Sequence, residues 1–102
     1  MTSRYNGKHL LRLLECYVLW AIGELKPAEQ SVMERMTPKL QSIYSLKGQW
    51  QEIIASVMEF PSNMPDLIRN TWKKNQAIAQ EKGLSISPQQ FAEMFVDQNL
   101  TS

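Results

Sequence analysis

One cysteine, one histidine and four glycines among 102 residues leave several kinds of chemistry without the parts they need. A single cysteine cannot close an internal disulfide, and one cysteine with one histidine cannot assemble a structural zinc set. The glycines stand far apart, at positions 7, 23, 48 and 83, so no phosphate-cradling glycine loop can be drawn. An excess of charge of one sign is missing as well. Eleven Lys and Arg nearly balance ten Asp and Glu, for a formal charge of +1, and no global field favours nucleic acid or an anionic membrane. The uninterrupted apolar run extends only from Cys16 to Ile22, and Arg12 and Glu15 interrupt its approach. A bilayer span needs roughly 20 apolar residues, so no membrane-spanning helix is expected. Arg4, Lys8 and Arg12 precede that run in the manner of a secretory leader, but Glu15 and the lack of a small-residue cleavage site argue against one. The lone thiol suits a reducing, cytoplasmic setting.

What the chain does have is hydrophobic residues at helical spacing, 43% of the total. At about 100° per residue, Leu10, Leu14, Val18, Ala21 and Leu25 fall on one side of a first helix. Leu19 and Trp20 project away from that stripe, and Cys16 sits within the run as a small buried hydrophobe. A helix apolar nearly all round is buried on more than one side, either among the chain's own later helices or against another protein. This helix starts near Asn6 to Lys8 and runs to Leu25 or Lys26, where Pro27 disfavours further helical geometry.

Pro27 and Glu29 suit the first turn of a second helix carrying Val32, Met33 and Met36. Thr37 and Pro38 read as a cap and a first-turn proline, predicting a restart or kink before Leu40, Ile43 and Tyr44, with a stop at Lys47 and Gly48. Trp50, Ile53, Ile54, Val57 and Met58 mark an amphipathic helix between Gln49 and Phe60. Pro65 and Asp66 open the next, which runs to about Lys82 with Leu67, Ile68, Thr71, Trp72, Asn75, Ile78 and Ala79 inward. Gly83 ends it. Ser87, Pro88 and Gln90 then make the strongest local signal in the chain, a capping box with a first-turn proline, and Ile86 is placed to staple onto Phe91. A last helix follows from Pro88 to about Asn99, with Phe91, Ala92 and Phe95 on its buried face. The expectation is an all-α, compact single domain over residues 1–102. Five or six short helices surround the apolar first one, with a frayed lead-in at 1–7 and a frayed end at 100–102.

Ala79, Gly83, Leu84 and Ser85 have the Ala-x-x-x-Gly-(apolar)-Ser spacing that resembles the turn of a DNA-binding helix-turn-helix. The resemblance implies a recognition helix after the turn, and two departures weigh against that role. The cap falls at Ser87 rather than Ser85, and the following helix carries Glu93 and Asp97 with no Lys or Arg to meet phosphate or guanine. Arg69, Lys73 and Lys74 beside Trp72 are read as the solvated edge of a helix, and Glu93 with Asp97 as a solvated acidic face. Asp97, Asn99 and Thr101 start like a calcium loop without its glycine and distal glutamate. His9 has no nucleophile at an informative spacing.

No catalytic, metal-binding or cofactor-binding set emerges, and no cofactor is expected. The favoured function is a non-enzymatic helical protein-interaction module. It would self-associate as a homodimer, or bind another protein, through Leu13, Leu19 and Trp20 of the first helix. The alternative is a small-ligand-binding regulatory protein or minor enzyme whose pocket between helices is lined by Tyr17, Tyr44, Trp72 and Asn75. Nucleic-acid binding through the 79–85 corner ranks third.

Overall fold

Five α-helices follow one another in the computed structural model, which describes residues 7–100 and the side chains from Leu10 onward. They are α1 (Gly7–Ala21), α2 (Pro27–Tyr44), α3 (Trp50–Val57), α4 (Met64–Glu81) and α5 (Pro88–Phe95), the last passing directly into a π-helical segment, Val96–Leu100. No strand occurs among the described residues. Arg4, Thr101 and the side chains of Lys8 and His9 lie outside the described part. Gly7 and Leu100, expected in frayed ends, are instead the first and last residues of helical elements.

α1 is the hub. It packs on α3, α4, α5 and the π segment, and Leu14 and Val18 on its inner stripe have no exposed surface. Trp50, Ile53, Ile68, Phe91 and Val96 close over them from the other elements. Arg69 on α4 donates to the carbonyl of Ala21 at 3.2 Å, supplying a cation and a donor to the negative end of α1.

α1 stops four residues earlier than Leu25. Gly23 adopts φ +76°, its amide donates to the Trp20 carbonyl, and the Glu24 amide donates to the Leu19 carbonyl. This double bond pattern caps the last carbonyls and turns the chain, so the glycine ends the helix before Pro27 can. The same closure recurs at Gly83, with Leu84 bonded to Ala79. It recurs without glycine at Ser45 and Glu59, whose φ values are 55° and 56°. Ser45, not Gly48, ends α2.

Pro38 does not restart the helix. α2 runs unbroken through it, with the Thr37 hydroxyl donating to the Met33 carbonyl at 3.1 Å and buried Met33 and Leu40 on either side of the proline. Burial of those two anchors holds both halves in one helix, while exposed Pro38 loses a single backbone donor. The cap before α5 forms as the sequence predicts. Ser87 Oγ accepts from the Gln90 amide at 3.0 Å, and Gln90 Oε1 accepts from the Ser87 amide at 3.0 Å. A second local cap was not anticipated: the Glu52 carboxylate accepts from the Gln49 amide at 2.8 Å and starts α3.

The packing is uneven around α1. α2 rests chiefly on α3 and scarcely touches α1 directly. The molecule measures 46 × 30 × 25 Å with a radius of gyration of 14.2 Å, somewhat above the roughly 13 Å of a compact domain of about 100 residues.

Candidate functional site

The gap between α1 and α2 is an apolar trough with a cavity volume of about 360 Å³. Leu13 and Cys16 of α1 form one wall; Ala28, Val32, Met33 and Met36 of α2 form the other. The spacing explains the second wall. Residues 28, 32 and 36 recur every four positions, with 29 and 33 beside them, so one face of α2 points at α1. Val32 remains 44% exposed, while Met33 and Cys16 are each 3% exposed at the floor.

Two charged residues stand at the mouth. Arg12 pairs with Glu29 across the gap and with Glu15 on its own helix at 3.0 Å. Glu15 also accepts from Gln89 Nε2 at 3.1 Å, which ties α1 to α5, and Gln89 donates to Glu93 at 2.9 Å. Arg12 and Glu29 also border a second depression of about 440 Å³, between α1 and the starts of α2 and α5, where Leu19, Lys26 and Pro88 contribute to the wall. One ion pair thus stands between two recesses along the same side of α1. Burial pushes the Cys16 thiol above its ordinary value; the Arg12 cation pulls it back in part, and Glu15 adds to the rise.

The residues expected from sequence distribute unequally around this geometry. Leu13 lines the trough and Leu19 the second depression, both nearly inaccessible at 4% and 3% exposure. Trp20 is partly buried, its ring 5.5 Å from Tyr17 and 6.3 Å from Trp50. Tyr17 is buried among aromatics, 5.2 Å from Phe60, and burial raises its hydroxyl's pKa. Trp72 packs on Phe91 at 5.0 Å, on the opposite flank of the core from the trough-forming helix. Asn75 donates to the Thr71 carbonyl one turn back at 2.8 Å, the backbone partner an inward amide needs. Tyr44 borders a small void of about 10 Å³ with Leu10, Leu13 and Ile54. No described cavity is lined by more than one of Tyr17, Tyr44, Trp72 and Asn75.

The α2 wall is the part that sequence reasoning missed. Val32, Met33 and Met36 were visible as an apolar face, but their spacing says nothing about which neighbour they oppose or how far away it stands. No group of three His, Cys, Asp or Glu that could hold a metal ion occurs among the described residues, and no described helix is long and apolar enough to cross a membrane. No protein-family model matches the chain, and no curated protein or solved structure matches it either.

Proposed function

We propose that the chain is a non-enzymatic helical interaction module that associates through the apolar side of α1, with the α1–α2 trough as the docking surface. One observation carries this reading: a recess of about 360 Å³ walled by aliphatic and sulfur side chains lies open between two helices of one small domain. A partner helix with large apolar residues at i, i+4 and i+7 fits such a groove by burying them against Leu13, Val32 and Met36. A second copy of the chain is the simplest partner, giving a homodimer, and another protein is the variant of the same reading. The setting proposed is cytoplasmic, where the Cys16 thiol stays reduced. The test is sedimentation of the purified protein across micromolar concentrations, beside the charge-introducing Val32→Glu variant. Self-association in wild type and its loss in Val32→Glu support the reading. A wild-type monomer that also recovers no stoichiometric partner from its native cells removes it.

The volume of the trough also favours a second reading. It falls within the roughly 300–1,000 Å³ of small-molecule sites, so a small apolar ligand is the competing occupant, with the chain as a ligand-binding regulator or minor enzyme. Thermal stabilisation by apolar compounds, lost in Val32→Glu without any change in sedimentation, selects this second reading. Nucleic-acid binding gains no support from α5, which carries exposed Glu93 and no Lys or Arg.

A further inference from the structure

Three sulfur-bearing residues line the trough. Cys16 comes from α1; Met33 and Met36 come from α2, three residues apart and therefore neighbours on one helix face. The three line one cavity from two helices. Among the described side chains, the other polar ones that line it are Arg12 and Glu29, which are paired with each other at the mouth. Among the described residues no group of three His, Cys, Asp or Glu that could hold a zinc or calcium ion occurs. A thiol and two thioethers form a different set, one that soft monovalent copper prefers.

We propose that Cys16, Met33 and Met36 form a binding site for one Cu(I) ion per chain, held between α1 and α2 by one thiolate and two thioether sulfurs. The charge balance suits the place. A monovalent cation and one thiolate sum to zero, and the thioethers are neutral, so the occupied cavity holds no net charge. A divalent cation on the same donors would leave a positive charge in an apolar recess, which is costly. Binding is a ligand exchange without redox change: Cu(I) arrives, the thiol proton leaves, and a copper–sulfur bond replaces the S–H bond. The Arg12–Glu29 pair holds the first turn of α2 beside α1 and so keeps the two walls of the cavity opposed. The inference stands apart from docking, because copper retention and sedimentation report on different properties.

The test is anaerobic transfer of Cu(I) from a coloured bicinchoninate complex to the full-length protein. Fading of the competitor's colour to one equivalent per monomeric chain is expected, with a sulfur-only copper shell by X-ray absorption. Because the thiol must lose a proton, retention below its pKa should strengthen with pH, by about tenfold per unit. Cys16→Ser should abolish transfer, while Met33→Leu and Met36→Leu should each weaken it by about tenfold or more. Leucine keeps the volume of methionine, so these two variants report on sulfur even if the serine variant fails to fold. Met94→Leu, on α5 away from the trough, should change nothing. Copper that stays with the competitor overturns the proposal. So does retention indifferent to both Met→Leu changes, or one copper shared by two chains.

Discussion

The two sides of α1 are built differently. Toward α4, α5 and the π segment it meets aromatic and branched residues in close contact: Phe91 has no exposed surface, Ile68 none, and Phe91 lies 5.0 Å from Trp72 and 5.8 Å from Phe95. Toward α2 it meets a recess lined by methionines and a half-exposed valine. The closed side uses rigid rings whose shapes interlock, and the open side uses flexible thioethers that adapt to whatever lies against them. One helix thus serves as the core of a small domain on one face and as a wall of a recess on the other. The difference teaches that a helix can be shielded from water by its own chain on both sides and still be close-packed on only one, for Leu13 and Cys16 on the open side are only 4% and 3% exposed.

That contrast can be broken most forcefully from the closed side. Phe91→Ala should cost about 3–5 kcal/mol in urea unfolding, since it leaves a cavity among Trp72, Phe95 and α1. Val32→Ala, on the open side, should cost less than about 1 kcal/mol because nearly half of Val32 is already in water. Equal losses would mean that the trough is closed in solution. An intermediate effect is expected at the turn joining the two sides. Gly23→Ala should cost roughly 1–2 kcal/mol through the φ +76° backbone alone, because a Cβ there meets nothing within 4 Å.

The smallest effect expected is alkaline, and it compares the trough with the aromatic cluster around Tyr17. Burial raises the pKa of Cys16, at the trough, above its ordinary 9.0, and that of Tyr17, in the aromatic cluster with Trp20 and Phe60, above 10.0. The unfolded chain loses these protons at the ordinary values while the fold retains them. Stability is therefore intact below pH 9.0 and declines as pH rises past it toward the raised folded values. Cys16→Ala should delay the onset of that decline to about pH 10.0, leaving the part due to Tyr17. Thermal melts between pH 8 and pH 11 read both slopes. A melting temperature that stays flat across that range removes the claim that either group is held protonated by burial.

How much of this was legible in advance depends on the range over which each feature is decided. The start of α5 was readable because Ser87, Pro88 and Gln90 complete their cap within four residues, with no help from elsewhere. The inward face of α3 was readable from Trp50, Ile53 and Ile54, all buried. The end of α1 differs from the expectation at Pro27 because Gly23 acts first along the chain and closes the helix there. Pro38 was misread for the opposite reason. Its local tendency to break a helix was outweighed by the burial of Met33 and Leu40, which is a tertiary effect. Among the expected site residues, Leu13 was found at the trough, while Tyr17 and Trp72 were drawn into aromatic clusters that no spacing announces.

The amino-acid sequence by itself determined an all-helical chain, the cap that starts α5, and a first helix apolar enough to be the hub, because periodicity, caps and turns act over a few residues. Only the tertiary structure decided that α2 would lean on α3 and pack loosely against α1, so that Cys16, Met33 and Met36 line one recess. The physical reason is that such a recess is a distance between helices, set by the sum of all the packing around them. No local pattern of residues contains it.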